Sequence, residues 1–296
     1  MFLKTTVNNI KITPQIFLKP DYQIHPDVSG NKFRKLKYNI AHYQQHDFRG
    51  ILTFGGAYSN HIAATAAAGK ALNIPTIGIV RGQELAQIPK LNPTLSFAKS
   101  CGMELKFISR ESYRKKDTPE FLAQLKQTYP RVYILPEGGT NDLAIKGCEE
   151  ILTTHDHTFD IICCAVGTGG TLSGLINSSL ISQKIIGFPA LKGSFLREDI
   201  CKFATQSNWE LCHDYHFGGY AKVNPELIDF MNSFKRNFGI PLDPIYTAKM
   251  MYGIFDLLEK GSISKTAKIL AIHTGGLQSI EGMNQRLRQQ QWQVIE

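Results

Sequence analysis

The sequence predicts an α/β fold of open, mainly parallel sheets covered by helices on both faces. Two observations carry this. From residue 50 onward, short apolar runs of strand length alternate with longer stretches of helical character, the pattern of successive β-α units. Glycine turns also open helices, at Ser29-Gly30-Asn31, Gly55-Gly56-Ala57-Tyr58-Ser59 and Gly167-Thr168-Gly169-Gly170-Thr171, the last two directly after apolar runs.

Residues 1–28 read as irregular chain with one or two short strands, one at Gln15 to Leu18. A helix runs from Lys32 towards His46, with Phe33, Leu36, Tyr38 and Ile40 as its apolar residues. The regular part starts with a strand at Gly50–Phe54, an alanine-rich helix at Asn60–Ala71 and a strand at Pro75–Val80. A helix at Thr94–Cys101, a strand at Glu104–Ile108, a helix at Pro119–Thr128 and a strand at Arg131–Leu135 follow. Next come a helix at Asp142–Thr153, the apolar strand Ile161–Val166 and a helix at Leu172–Leu180 behind the third glycine turn. Strands at Ile185–Phe188 and Ile269–His273, with helices at Pro225–Phe238, Thr247–Glu259 and Leu277–Arg288, complete the chain. Runs this short are separated into strand and helix by length and flanking turns, since periodicity alone does not distinguish them.

The 296 residues suffice for one large domain or two. A hydrophobic share of 43% against 20% charged suits a soluble globular protein. No apolar run has the length of a membrane span, and MFLKTTVNNIKITPQ lacks the core of a secretory signal. Net charge is +8, but Lys and Arg are scattered, with only short clusters at 32–37 and 110–116. That reads as solvated surface and argues against nucleic acid. Six cysteines form no CxxC pair, which points to a reducing cytoplasm. His155-Asp156-His157 lacks further ligands at metal spacing and reads as a loop, so no metal is expected.

The chemistry starts from the glycine turns. A strand end, a glycine loop and a helix N-terminus present free backbone N–H groups and a positive dipole end to an anion. Gly167-Thr168-Gly169-Gly170-Thr171 has this form, and its two threonines add hydroxyl donors. Leu172 stands where GxGxxG requires glycine and no GK[ST] follows, so this is not a nucleotide P-loop. The choice is between a phosphate site and a plain tight turn. A lysine, Lys32, follows the first turn; Ser59, Asn60 and His61 follow the second. A lysine, an anion-binding loop and a second polar turn are the parts that hold an aldehyde cofactor with a phosphate tail.

Five stretches carry a resemblance: SGNKFRKL (29–36), FGGAYSNH (54–61), AVGTGGTLSG (165–174), GIPLDPIYTAK (239–249) and AIHTGG (271–276). Together, in this order and across nearly the whole chain, they resemble the D-cysteine desulfhydrase and 1-aminocyclopropane-1-carboxylate deaminase family of pyridoxal-phosphate enzymes, of the tryptophan-synthase-β-like fold group. The resemblance implies the cofactor pyridoxal 5'-phosphate, a homodimer and two α/β domains with the cofactor between them. Residues 1–45 and 142–296 form the large domain; 46–141 form a small inserted one.

It also implies roles. Lys32 takes the imine link to the cofactor and then serves as a base at the substrate α-carbon. Lys35, one turn on, helps neutralise the phosphate; the alternative is a solvated helical lysine. Gly167, Thr168, Gly169, Gly170 and Thr171 hold the phosphate. Ser59 contacts the substrate carboxylate and aligns with the ring-opening nucleophile of the deaminases. Asn60 contacts the ring oxygen and that carboxylate, though either residue can simply cap a helix. His61, where some members have glutamine, lies on the substrate side or is a hydrogen-bonded residue at the helix start. Tyr246, and with less support Tyr220, face the substrate. Thr247 aligns with the residue facing the ring nitrogen, where the deaminases carry glutamate; Thr274 stands where they carry leucine. Both match the desulfhydrase pattern. The chain departs from the family at Leu18-Lys19-Pro20-Asp21-Tyr22.

The leading reading is a cytoplasmic lyase that eliminates the β-substituent of a small D-amino acid, D-cysteine first. The alternatives are 1-aminocyclopropane-1-carboxylate deaminase, a pyridoxal-phosphate-binding protein without turnover, and an unrelated nucleotide-binding α/β protein.

Overall fold

A computed structural model describes residues 6–193 and 196–296; the part of the irregular start expected at residues 1–5 lies outside them. The elements in order are β1 (Ile10–Lys11), β2 (Ile16–Lys19), α1 (Asn31–Gln45), β3 (Gly50–Gly55), α2 (Asn60–Leu72), β4 (Thr76–Arg81) and α3 (Pro93–Ser100). Then come β5 (Glu104–Ile108), α4 (Arg110–Arg114), α5 (Pro119–Thr128), β6 (Val132–Leu135), α6 (Asp142–Glu149), β7 (Ile161–Val166) and α7 (Gly170–Ser178). The chain ends through β8 (Lys184–Pro189), α8 (Leu196–Cys201), β9 (Trp209–Leu211), α9 (Pro225–Phe238), α10 (Thr247–Glu259), β10 (Ile269–Ile272) and α11 (Ser279–Gln289).

The strands form two sheets. One has the order β1-β2-β10-β7-β8-β9 and the other β5-β4-β3-β6. Every pairing is parallel except the β1–β2 hairpin. β7 shows why its sequence is apolar throughout. Ile161, Cys163 and Ala165 face a core shared with Met231 of α9 and Met251 of α10. Ile162, Cys164 and Val166 face Leu172, Leu175 and Ile176 of α7. A strand covered on both faces has no polar side to alternate.

The carboxyl ends of both sheets converge on one cleft. Loops after β7 and β10 approach it from the larger sheet, and loops after β3, β4 and β6 from the smaller, the edge at which open parallel sheets bind ligands. α1 is anchored beside it by a buried bidentate pair: Arg34 Nη2 and Nε donate to Asp21 at 2.7 and 3.2 Å. Gly147 of α6 permits the close packing of α1, because a Cβ there would fall 2.0 Å from the Arg34 carbonyl oxygen.

The departure at residues 18–22 is structural in character. Lys19 pairs with buried Asp156 at 2.7 Å, Asp21 receives Arg34, and the Tyr22 ring lies 4.4 Å from that of His273. Asp156 also caps its own turn through Thr153, so the expected loop at 155–157 is a 3-10 turn. The helix expected to reach Thr153 stops at Glu149 because Thr153 and Asp156 close this separate turn. Conversely, α7 starts two residues early, taking Gly170 and Thr171 into its first turn. The short elements α4, α8 and β9, absent from the sequence reading, are held by their contacts rather than by any pattern of their own.

Candidate active site

The cleft has a volume of about 640 Å³. Lys32 lies in the first turn of α1, on its wall. The helix begins at Gly30, whose φ is +59° and where a Cβ would fall 2.0 Å from the Thr274 carbonyl oxygen. Only glycine allows that approach, and Asn31 N–H then donates to the same carbonyl at 3.1 Å. Asn31 Nδ2 donates to Thr171 Oγ1 at 2.8 Å, while Asn31 Oδ1 accepts from Lys32 Nζ at 3.1 Å. Asn31 thus ties the lysine to the start of α7.

Burial, and then the charge of Lys35, push the Lys32 ammonium down to about 7. A substantial share is therefore the free amine at neutral pH, the form that attacks a carbonyl. Lys35 Nζ donates to Gly138 O at 3.0 Å and to Thr140 Oγ1 at 2.9 Å; it is buried and not a solvated helical lysine. Its own pKa is also lowered by burial.

Gly167 to Thr171 form the opposite cradle. α7 starts at Gly169 with φ +84° and no side-chain cap, leaving its first amides for a ligand. A Cβ on Gly170 would lie 2.9 Å from Lys35 Nζ and 2.8 Å from Thr140 Oγ1, so the loop and the lysine face the same small space. Thr168 Oγ1 meets Thr140 Oγ1 at 2.7 Å.

Ser59 is the cap of α2, its Oγ accepting from Ile62 N–H at 3.2 Å. The hydroxyl proton stays available to an acceptor in the cleft. Asn60, the first helical residue, accepts from Gln278 Nε2 at 2.9 Å through Oδ1 and so links the two sheets. His61 is buried, with Nε2 2.8 Å from Thr53 Oγ1. Thr53 spends its proton on Leu135 O, so Nε2 carries the hydrogen and Nδ1 is an acceptor without a partner. Burial, followed by the charges of Lys32 and Lys35, keeps His61 well below the usual histidine range. It is neutral at physiological pH.

Tyr246 packs over Gly167, where a Cβ would sit 3.3 Å from its hydroxyl. Burial holds its pKa well above that of a free phenol, so it remains a proton donor. Tyr220 lies edge-on to it with ring centroids 6.2 Å apart. Thr247 is placed differently from the other expected residues. It is fully buried and off the cleft wall, with its hydroxyl bonded to Asp243; Thr274 lines the cleft instead.

Four residues that sequence reasoning passed over hold the site together: Asn31, Thr140, Asp243 and Lys249. Lys249 Nζ donates to His216 O and Gly219 O at 2.9 and 2.8 Å, fastening the loop that carries Tyr220. Thr140 had a signal. Gly138-Gly139-Thr140 follows β6 much as Gly169-Gly170-Thr171 follows β7.

A lysine held partly as the free amine and an uncapped helix start backed by a second lysine fit a phosphorylated aldehyde. These define a fold type II pyridoxal-phosphate enzyme. The chain belongs to the family of pyridoxal-phosphate dependent enzymes, whose model matches residues 5–275. It is 30% identical over 287 residues to a Pyrococcus horikoshii protein provisionally named 1-aminocyclopropane-1-carboxylate deaminase, covering 90% of this chain and 86% of the relative. It is 29% identical over 290 residues to the Arabidopsis thaliana mitochondrial bifunctional D-cysteine desulfhydrase/1-aminocyclopropane-1-carboxylate deaminase, covering 89% and 72%. The crystal structure of an ACC deaminase homologue superposes with a TM-score of 0.80 at 28% identity, covering 93% of this chain and 88% of that one. The protein is thus a pyridoxal-phosphate-dependent lyase of the deaminase and desulfhydrase group.

Proposed function

We propose that this lyase eliminates the β-substituent of a small D-amino acid, D-cysteine first, giving hydrogen sulfide, pyruvate and ammonia. One observation carries the reading. The carboxylates lining the cleft are Asp117, Glu137 and Asp199, and each is paired with a lysine, Asp117 and Glu137 with Lys116 and Asp199 with Lys202, so none of them is free to partner the ring nitrogen. Asp243 is nearby, but its oxygens are taken by the N–H groups of Ile245, Tyr246 and Thr247 and by the Thr247 hydroxyl. Pyridoxal phosphate, when bound, supplies an aldehyde that condenses with amines and a ring that withdraws electrons from the α-carbon. Without a carboxylate partner its ring nitrogen stays largely unprotonated and withdraws weakly. That suffices where a thiolate leaves and carries charge away, and asks more where an unactivated cyclopropane must open.

The roles follow. Residues 167–171 and Lys35 hold the phosphate. Ser59 and Asn60 orient the substrate carboxylate at the positive end of α2. Lys32, free as an amine, takes the α-proton. Tyr246, kept protonated, donates to the departing sulfur. The α C–H and C–S bonds break, the β-carbon takes up a proton, and water replaces the nitrogen at the α-carbon, so the C–N bond breaks, ammonia leaves and water supplies the oxygen of pyruvate. This reading takes residues 46–141 as a small domain bringing the carboxylate site and the remainder as a large domain bringing the cofactor site. It also takes the working form as a homodimer in the cytoplasm.

The second reading is 1-aminocyclopropane-1-carboxylate deaminase, favoured by the names of several relatives. Steady-state assays of the purified, cofactor-loaded protein separate the two. Sulfide from D-cysteine with little 2-oxobutanoate from the cyclopropane substrate is the expected result, with L-cysteine a poorer substrate. A preference for the cyclopropane overturns the ring-nitrogen argument.

A further inference from the structure

The cations lining the cleft are Lys32, Lys35, Arg81, Lys116 and Lys202. Lys116 has carboxylate partners in Asp117 and Glu137, at 2.7 and 3.3 Å. Lys202 has Asp199 at 2.6 Å. Lys32 and Lys35 belong to the cofactor in the reading above. Arg81 is left over. It is the last residue of β4, exposed, and forms no ion pair among the described residues; its contact is the Tyr113 ring, 5.8 Å away.

Its position is specific. β3 and β4 pair in parallel with Gly55 opposite Val80, so Arg81 stands beside the turn that leads to Ser59. A Cβ built on Gly56 would meet one group within 4 Å, Arg81 Nη2 at 3.6 Å. The space above Gly56 is therefore open and roofed by a guanidinium. Across the cleft, the Arg81 charge acts on the Tyr220 hydroxyl and opposes the rise that burial causes there. Of the acids lining this part of the cleft, Glu137 is occupied by Tyr113 at 2.8 Å and by Lys116, and Asp117 by Lys116. Ser59 and the start of α2 already provide for an α-carboxylate three residues further on. The side chain of cysteine would leave the guanidinium without a partner.

We propose that Arg81 determines specificity by pairing with an anionic group at the end of the substrate's side chain. Among the small D-amino acids that undergo β-elimination, those whose β-substituent bears a second acid group are then turned over in preference to neutral ones, D-cysteine remaining a substrate without this contact. A planar guanidinium holds such oxyanions in bidentate fashion, and the partly enclosed cleft strengthens the pair over one in open water. This deepens the β-elimination reading and rests on it for turnover.

The test uses the cofactor-loaded protein and two elimination substrates, D-serine O-sulfate and β-chloro-D-alanine. Calorimetric titration with D-aspartate and D-alanine supplies a readout independent of turnover. The unaltered protein should prefer the sulfate ester and bind D-aspartate more tightly than D-alanine. Arg81→Gln should lower kcat/KM for the sulfate ester about 30-fold or more, chiefly through KM. β-Chloro-D-alanine should change little, and Arg81→Lys should recover part of the loss. Equal losses on both substrates would place Arg81 on the α-carboxylate and overturn the proposal, as would equal binding of the two titrants. If neither substrate turns over but Arg81-dependent preference for D-aspartate persists, the recognition stands and the elimination reading fails.

Discussion

The hydroxyl of Thr247 is locked to Asp243: Oγ1 donates to Oδ2 at 2.8 Å and accepts from the Asp243 N–H at 2.9 Å. Both residues are fully buried. Whatever Thr247 does for the cofactor, it does as part of this turn, which also positions Tyr246 at the head of α10. Thr247→Val should lower stability by about 1–3 kcal/mol, because it leaves a buried carboxylate oxygen short of a donor and an N–H without an acceptor. Urea unfolding measures this, with Thr247→Ser as the variant that retains the bonds. Thr247→Glu should cost more, since two carboxylates would share one buried site. A shift towards cyclopropane opening is expected from Thr247→Glu with Thr274→Leu only in protein shown to be folded.

Lys32 should be the residue labelled by borohydride reduction of the loaded protein, and peptide mapping should find the adduct there. Label on Lys35 or Lys37 would contradict the assignment. Lys32→Ala should lose the lysine-linked chromophore while its circular dichroism stays native.

The rate of cofactor attachment should depend on pH with a sign set by Lys32. Its ammonium titrates at about 7, and attack needs the free amine. The rate should rise about tenfold per unit below that point and level off above it. The Lys35 charge is one cause of the lowering, so Lys35→Met should move the midpoint to higher pH. Stopped-flow absorbance on apo protein reads the midpoint separately from any loss of affinity for phosphate.

Gly170→Val should weaken pyridoxal-phosphate affinity by about tenfold or more, because the side chain would fill the space between the loop and Lys35. Gly169 is a less clean probe. Its φ of +84° and the nearby Ile200 mean that any side chain there also strains the fold. Unchanged affinity in folded Gly170→Val would count against residues 167–171 as the phosphate site.

Arg34→Met should lose about 3–5 kcal/mol of stability, since Asp21 would remain buried without its partner. Asp21→Asn together with Arg34→Met should recover part of that loss, a coupling that a double-mutant cycle measures.

How much was legible can be followed residue by residue. β7 could be read to its exact ends because six apolar residues between polar turns have only a buried strand to form. The loop at 167–171 was legible as a glycine turn between strand and helix, with a phosphate site and a plain tight turn as its two readings. α8 and β9 could not be read: six and three residues carry no period, and their place depends on the core beneath them. The tautomer of His61 was equally hidden, since it follows from Thr53 donating to Leu135, a residue more than seventy positions away.

By itself the sequence determined the order of the longer strands and helices and the place of the glycine turns, because each depends on residues within one turn of chain; the choice of Lys32 as the reactive lysine rested on the resemblance of the SGNK stretch. Only the tertiary structure decided that Lys35 and Thr140 share a space with Gly170, that Asp243 holds the Thr247 hydroxyl inward, and that Arg81 stands over Gly56. Those relationships join residues from different strand ends, and the packing of two sheets, which no local pattern encodes, sets the distances between them.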